Sequence, residues 1–140
     1  MALPTILVDS SFLYSVIDHN SPSYVEARQI TRVKKAVYLV PEVTLTEAAF
    51  LFRRQGGVSA VARFLAGLTL AKFTFVSLTQ EDLIRAREIL LAYPTAKLDF
   101  VDCCIGALAE RMNITQICTY DRRDFGIMRP HHVESFVLLP

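Results

Sequence analysis

Acidic side chains stand just past apolar runs at four separate places in this 140-residue chain. They are Asp9, Glu47, the pair Asp99 and Asp102, and Asp121. In a chain of strand–helix units, the carboxyl ends of the parallel strands meet at one edge of the sheet, where such sheets bind ligands. Carboxylates gathered there repel one another unless a cation offsets their charge. The pattern therefore predicts a site for a hard divalent cation that prefers oxygen ligands, such as Mg²⁺ or Mn²⁺.

The elements that would position these acids are short apolar strands alternating with helices. Continuous apolar runs are typical of parallel strands that are covered on both faces. They predict strands at 5–8, 36–40, 73–76, 115–119 and 136–139. Helices are expected at 11–18, 22–35, 46–54, 59–72 (after a break at Gly56-Gly57), from the Thr79–Asp82 capping box onward, and at 100–112. The alternation predicts one α/β sandwich domain over residues 1–140, with right-handed crossovers.

The composition indicates a globular chain with more apolar surface than one core needs. Hydrophobic residues make up 52% of the sequence and charged residues 21%. The excess predicts a homodimer face or a groove for a partner. In the helix after Thr79 we expect Leu83, Ile89 and Leu90 to lie on one face. The net charge of +1 excludes a global basic field, so nucleic acid would have to contact a local basic patch.

The cysteines and the first residues indicate a reducing compartment. Cys103, Cys104 and Cys118 show no metal-binding spacing, and their odd number argues against a disulfide framework. The start of the chain lacks the basic and apolar regions of an export signal. The longest apolar stretch, 58–78, is interrupted by Arg63 and Lys72, which makes it a poor membrane span. We therefore expect a cytoplasmic protein that is not associated with a membrane.

Asp9 and Glu47 each have a structural explanation beside the metal-binding one. Asp9 is of a type that commonly caps a helix N-terminus. Thr44 and Glu47 fit a capping box, in which the glutamate reaches back to a backbone N–H. Alternatively, Thr46 caps the helix and Glu47 faces the crevice from its first turn. The residues alone leave these alternatives open.

The remaining acids differ in how well helix capping explains them. Asp99 as an N-cap residue and Asp102 in the first turn would both favour the start of the next helix. Asp102, however, opens a largely apolar helix, and a buried carboxylate needs a compensating partner. Asp121 and Asp124 lie in the segment 119–125, which is either a surface turn with local Asp–Arg pairs or a ligand site with arginines beside it.

Together, these segments resemble the PIN-domain nucleases, and most closely the VapC-type toxins of bacterial and archaeal toxin–antitoxin pairs. The matching pieces are Leu7-Val8-Asp9-Ser10-Ser11, Thr46-Glu47-Ala48, Phe100-Val101-Asp102-Cys103 with Ala107-Leu108-Ala109-Glu110-Arg111, and the segment 119–125. The resemblance implies a five-stranded, mostly parallel sheet flanked by helices. It implies that Asp9, Glu47, Asp102 and Asp121 hold Mg²⁺ or Mn²⁺, with Asp99 and Asp124 as auxiliary groups. One departure is Cys103, where the family commonly has alanine.

The resemblance further implies metal-assisted hydrolysis of RNA phosphodiesters by a homodimeric toxin. A small VapB-like antitoxin would neutralise it by occupying the active-site groove, and the helical segments 48–54 and 58–72 are candidates to line that groove. Arg122 and Arg123 are expected to contact the substrate, and His131 and His132 to lie in a surface loop. Two alternatives stay within the PIN family: a nuclease of RNA processing, or a module that binds RNA or a partner without cleaving. A phosphatase with an aspartyl nucleophile would need Asp-x-Asp, and Ser10-Ser11 follow Asp9 instead.

Overall fold

In the computed structural model, which describes residues 2–140, five strands and six helices alternate along the chain. The strands are β1 (Thr5–Val8), β2 (Val37–Pro41), β3 (Thr74–Val76), β4 (Gln116–Cys118) and β5 (Val137–Leu139). The helices are α1 (Ser10–Ile17), α2 (Tyr24–Val33), α3 (Glu42–Leu70), α4 (Gln80–Ala92), α5 (Phe100–Met112) and α6 (Arg122–Ile127). The predicted α/β sandwich with a five-stranded sheet is confirmed, and every neighbouring pair of strands in it is parallel.

The sheet has the strand order β3-β2-β1-β4-β5, so the chain reverses its direction of travel across the sheet at β1. Crevices at such a reversal, outside the carboxyl ends of the strands, are where ligands bind in open α/β sheets. In the register of β1 with β4, Val8 lies opposite Cys118. The residues that follow these two, Asp9 and Thr119, are therefore brought side by side at the edge of the sheet.

Helices cover both faces of the sheet, which explains why its central strands are apolar without alternation. Successive side chains of a strand point to opposite faces. Accordingly, Leu7 belongs to the core layer formed with α4 and α5, whereas Ile6 and Val8 belong to the layer formed with α1 and α3. Each of these three side chains is fully buried.

The ends of α4 and α5 follow their sequence signals. The Thr79 hydroxyl accepts from the N–H of Asp82 at 3.2 Å, and the Asp82 carboxylate accepts from the N–H of Thr79 at 2.9 Å, which confirms the capping box. The same carboxylate binds Arg111 of α5 through two hydrogen bonds of 2.8 and 3.0 Å. Helix α5 begins after Asp99 and ends at Asn113, whose φ of 54° is left-handed.

Two expectations about helix surfaces and ends are wrong. The buried residues of α4 are Asp82, Ala86 and Ile89. Leu83 and Leu90, expected on one face with Ile89, are 47% and 44% exposed, because the ion pair of Asp82 with α5 turns a different face inward. The start of α3 is also earlier than predicted, at Glu42 instead of residue 46, because Pro41 ends β2 and leads directly into the helix.

Helix α3 contains the predicted break as a kink and continues beyond it. Gly57 has φ 71° and ψ −157°, a conformation that is essentially restricted to glycine, so the helical hydrogen-bonding direction changes there. Helix α6, by contrast, is not among the predicted helices, since its six residues are too few for a periodic apolar pattern.

The three cysteines are buried free thiols. Burial raises the pKa of Cys103 and of Cys104 to about 11, and that of Cys118 to about 12. They therefore pack as small apolar residues and are not reactive thiolates. Within residues 2–140, no helix combines the length and the apolar character that crossing a membrane requires.

Candidate active site

Asp9 leaves the central strand β1 and occupies the N-cap position of α1. Its side chain makes no capping hydrogen bond, so the expected alternative role as a helix cap does not account for the carboxylate. One carboxylate oxygen instead accepts from the hydroxyls of Thr119 at 2.8 Å and of Ser11 at 3.1 Å. The carboxylate is 2% exposed and fixed in orientation at the carboxyl edge of the sheet.

Glu47 reaches the same edge from the second turn of α3. Because α3 begins at Glu42, neither Thr44 nor Thr46 caps it, and both capping alternatives for Glu47 are wrong. The Thr44 hydroxyl donates to the carbonyl of Pro41 at 2.8 Å. The Glu47 carboxylate accepts from the Ser10 hydroxyl at 2.8 Å. Since Ser10 also lies 3.5 Å from a carboxylate oxygen of Asp9, it connects the two acids.

Asp99 and Asp102 stand at the N-terminus of α5 and have different roles there. Asp99 is exposed and accepts from the N–H of Val101 at 2.9 Å, so it is the N-cap residue, as expected. Asp102, in the first turn, is 5% exposed. Burial, followed by the charges of Asp9, Asp121 and Asp124, raises the pKa of Asp102 to about 9. A carboxyl with such a pKa stays protonated at neutral pH until a cation takes the place of its proton.

The segment after β4 completes the acidic cluster. Asp102, Asp121 and Asp124 each offer a carboxylate oxygen, and these oxygens lie within 4.8 Å of one another. The N–H of Asp121 donates to the Thr119 hydroxyl at 2.9 Å, which ties this segment to the Asp9 side. Asp124 is also paired with Arg123 at 2.6 Å, so the local Asp–Arg pair expected in this segment is present as well.

The electrostatics of the edge fit a divalent cation. Burial, and then the neighbouring acids, raise the pKa values of Asp9 and Glu47 as well as that of Asp102. Hydroxyl donors oppose this rise at Asp9 and Glu47, but the described residues place no lysine or arginine on Asp9, Glu47 or Asp102. The donor set is entirely oxygen, as Mg²⁺ and Mn²⁺ prefer. The residues present therefore fit such an ion.

Sequence reasoning missed the hydroxyl side chains that organise this edge. Thr119 donates to Asp9 and accepts from the Asp121 N–H, Ser10 donates to Glu47, and Ser11 donates to Asp9. The Ser11 hydroxyl also accepts from the N–H of Tyr120 at 2.9 Å. Their signal was present, because each lies within three residues of the end of a strand and within two residues of an acid.

The arginines expected at the substrate lie beside the cluster with their guanidinium groups bonded to the protein. Arg122 donates to the carbonyls of Leu138 and Pro140, and Arg123 donates to Asp124 and to the carbonyl of Ala96. Both residues are exposed, so one side of each group still faces outward. His131 and His132 lie in the irregular segment before β5 and contact Arg85 and the carbonyl of Ile114, which places them in a loop, as expected.

The arrangement corresponds to a known family. The family model of the PIN domain matches residues 6–128, and the chain belongs to this family. The matched range includes every acid of the cluster and both arginines that follow Asp121.

Individual relatives match this chain over nearly its whole length, and the solved structures among them share its fold. Ribonuclease VapC26 of Mycobacterium tuberculosis is 22% identical over 135 residues, which are 96% of this chain and the whole of that protein. The crystal structure of M. tuberculosis VapC20, described as a toxin that cleaves the sarcin–ricin loop, superposes with a TM-score of 0.78 at 22% identity, covering 92% of this chain and 98% of that one. VapBC2 from Rickettsia felis, bound to a DNA fragment from its promoter, gives a TM-score of 0.69 at 13% identity, with 96% of both chains covered.

Proposed function

We propose that this protein is an endoribonuclease that hydrolyses RNA phosphodiesters with Mg²⁺ or Mn²⁺. The observation that carries the proposal is the convergence of carboxylate oxygens from Asp102, Asp121 and Asp124 within 4.8 Å, beside the buried Asp9. Like charges this close together oppose each other's ionisation, and a bound cation would offset that repulsion. Asp9, Glu47, Asp102 and Asp121 are the proposed metal ligands, and Asp99 and Asp124 the auxiliary acids.

The side chains around the cluster determine how the ligands are presented. The Thr119 hydroxyl holds one oxygen of Asp9 and the backbone of Asp121 in fixed relation, at 2.8 and 2.9 Å. The Ser10 hydroxyl donates to the Glu47 carboxylate at 2.8 Å and so orients it toward Asp9. As a metal ligand, Asp102 would have to be ionised, so its proton would be lost to solvent. A bound divalent cation supplies a Lewis acid that lowers the pKa of water and offsets negative charge developing on the phosphoryl and leaving oxygens.

The substrate meets a predominantly acidic surface, so basic side chains are required at its rim. Arg122 and Arg123 directly follow Asp121, and we propose that their outward sides bind substrate phosphates. Their bonds to main-chain carbonyls and to Asp124 fix the guanidinium planes, which lowers the entropy lost when a phosphate binds. The absence of a global positive charge fits contacts limited to this rim.

We further propose that the enzyme is the toxin of a toxin–antitoxin pair in the cytoplasm. A relative named as a ribonuclease and structural neighbours that are VapC toxins or VapBC complexes support this assignment. The partner is then a small VapB-like antitoxin that covers the active-site groove. The protein would be a homodimer, for which the exposed aliphatic side chains of α4 offer a surface. A processing nuclease would share the chemistry but have no antitoxin.

The test is cleavage of a mixed RNA panel by the purified protein with Mg²⁺ or Mn²⁺. Asp9→Asn and Asp102→Asn are the informative variants, since each keeps the shape of the side chain and removes its charge. Glu81→Gln, an exposed acid of α4, is the matched control. We expect metal-dependent cutting by the wild type and the control that both site variants lack. RNA binding without cleavage in the wild type would favour the non-catalytic PIN module instead.

A further inference from the structure

Beyond Glu47, helix α3 carries basic residues and no acid. The stretch from residue 48 to residue 80 contains no aspartate or glutamate, and its four basic residues are Arg53, Arg54, Arg63 and Lys72. The arginines of α3 are exposed, and none of them forms an ion pair within residues 2–140. A chain with a net charge of +1 therefore has unopposed positive charge on the helix that also provides one of the acids.

The helical register places Arg54 on the face of α3 that carries Glu47. The helix is regular up to the kink at Gly57. Arg54 comes seven residues after Glu47, which is about 20° away around the helix axis and ~10 Å along it. Arg63 lies on the opposite side, because its Nη2 atom is 3.6 Å from the position that a Cβ would take on Gly56, about 160° from Arg54 around the axis. Arg54 therefore continues the line of side chains that begins at Glu47.

Positive charge lies on both sides of the acids. Helix α3 follows β2, the segment of Asp121 follows β4, and Asp9 leaves β1, which lies between these two strands. Neighbouring strands are ~4.8 Å apart, so the acids extend over about 10 Å of the sheet edge. On the β4 side, Arg122 reaches outward to the carbonyl of Pro140, next to β5. On the other side, Arg54 lies two helical turns past the last acid of α3.

We propose that Arg54 binds a phosphate of the RNA about two to three nucleotides from the phosphate that is cleaved. This inference rests on the proposed ribonuclease function and assigns a phosphate-binding residue to it. The phosphates of a stacked strand are ~3.4 Å apart along its axis, so the ~10 Å between Glu47 and Arg54 spans about three of them, and fewer when the strand is extended. A guanidinium group donates two parallel hydrogen bonds to a phosphate.

A polyanion explains this charge pattern better than a single acidic side chain of a protein partner does. The arginines on the two sides are separated by the whole width of the acidic cluster. An RNA strand carries a negative charge at every nucleotide, so it can contact both sides at once while one phosphate lies at the acids. Because carboxylates repel phosphates until a cation is bound, contacts outside the cluster are needed to hold the strand.

The experiment measures binding of a fluorescein-labelled RNA pool of randomised sequence by fluorescence anisotropy, at salt concentrations from about 50 to 200 mM. Ca²⁺ replaces Mg²⁺ in the binding samples, and gel analysis of the same samples shows whether the RNA stays intact. Cleavage is measured separately with Mg²⁺ or Mn²⁺. The variants are Arg54→Gln, which removes the charge, and Arg54→Lys, which restores it. Arg63→Gln, at an exposed arginine on the other side of α3, is the matched control.

We expect Arg54→Gln to reduce the slope of log affinity against log salt by about 0.7–0.9, the change for one lost phosphate contact, and to weaken binding about 3- to 10-fold at ~100 mM salt. KM should rise by a similar factor, whereas kcat and the affinity for Mn²⁺ should stay unchanged, because Arg54 does not contact the ion. Arg54→Lys should recover most of the affinity, and Arg63→Gln should bind as the wild type does. A purely structural effect of Arg54 would not change the salt slope.

The outcomes separate this contact from the nuclease function. A reduced salt slope in Arg54→Gln, together with a wild type that cuts no RNA, would support the contact and contradict the nuclease proposal. Cleavage by the wild type, with equal salt slopes and KM values for wild type and Arg54→Gln, would overturn the contact, leave the nuclease standing, and assign Arg54 to an acidic protein partner. Equal losses in Arg54→Gln and Arg63→Gln would also overturn it, since positive charge anywhere on α3 would then suffice.

Discussion

At the scale of single residues, the property that distinguishes this site is the raised pKa of Asp102. Its pKa of about 9, compared with an ordinary 3.8, results first from burial and then from the surrounding carboxylates. The neutral carboxyl is the form that the folded protein favours without metal. A cation at the site competes with that proton, so metal binding and pH are linked.

The linkage predicts opposite effects of pH on stability and on metal affinity. Between about pH 4 and 9 the unfolded chain has lost the Asp102 proton and the folded chain has kept it, so the metal-free protein loses stability as the pH rises through this window. Affinity for Mn²⁺ should increase over the same window, by up to about tenfold per pH unit where one proton is displaced. Thermal unfolding and calorimetric titration at several pH values measure both effects.

The control for this prediction is Asp102→Asn, which cannot titrate at that position. Its metal-free stability should depend much less on pH in the same window, and its Mn²⁺ affinity should be low throughout. A wild-type protein whose metal-free stability depends on pH between 5 and 8 no more than that of Asp102→Asn would argue against a protonated Asp102.

Thr119 is predicted to be a positioning residue. Thr119→Val keeps the shape of the side chain and removes the hydroxyl that donates to Asp9 and accepts from the Asp121 N–H. We expect metal affinity and cleavage rate to fall by about 10- to 100-fold, the range for loss of a partner that orients a metal ligand. Thr119→Ser restores the hydroxyl and should recover most of both. Equal metal affinity of the valine variant and the wild type would show that Asp9 is oriented without this bond.

The acids and their supporting hydroxyls differed in how far the sequence revealed them. Asp9, Asp102 and Asp121 were recognisable because each follows an apolar run, and strand order then brings such positions together. Thr119 and Ser10 were not recognisable, because hydroxyl residues are common at strand and helix ends. Which groups they bond to depends on the strand register. That register places Val8 opposite Cys118, and the pairing of two segments so far apart in the chain depends on the tertiary fold.

At the scale of elements, the kink of α3 determines where its two halves lie. Gly57 has φ 71° and ψ −157°, and a Cβ added there would meet no atom within 4 Å. Gly57→Ala should therefore destabilise through backbone strain alone, by about 1–3 kcal/mol. Gly126 also leaves open space for a Cβ, but its φ is not positive. Gly126→Ala in α6 is the matched control and should be neutral or slightly stabilising.

Chemical denaturation compares the free energies of unfolding of these two variants with the wild type. Equal stability of Gly57→Ala and the wild type would mean that α3 runs straight through this position. The result bears on the site, because Glu47 is carried by the half of α3 that precedes the kink.

Helix and strand limits were predictable where local chemistry sets them and not where tertiary packing does. The run 5–8 and the helix from Phe100 to Met112 were predicted with the observed limits, since β1 is uniformly apolar and α5 lies between a capping aspartate and a left-handed asparagine. The inward face of α4 was mispredicted. Its apolar residues lie on two sides, and the pair between Asp82 and Arg111, 29 positions apart, decides which side is buried.

At the scale of the whole molecule, α4 presents an apolar surface on the side away from its core. Leu83, Ile84, Leu90 and Leu91 are exposed there, Ile84 at 59% and Leu91 at 58%. We predict that the protein sediments as a homodimer and that Ile84→Glu converts it to a monomer with unchanged circular dichroism, because a buried unpaired carboxylate opposes association. Val25→Glu, at a position on α2 that is 73% exposed, is the control and should remain dimeric. A monomeric wild type would contradict the homodimer, and a dimeric Ile84→Glu would place its interface elsewhere.

The most direct test of the account is cleavage of RNA by the purified wild-type protein and by Asp102→Asn, each with Mn²⁺ and with chelator. The account predicts cutting only by the wild type with metal, and a loss of about 100-fold or more in the variant, because one of the charges that binds the ion is absent. Cutting by Asp102→Asn at the wild-type rate, or by the wild type in the presence of chelator, would contradict the assignment of this acidic edge as a metal-dependent nuclease site.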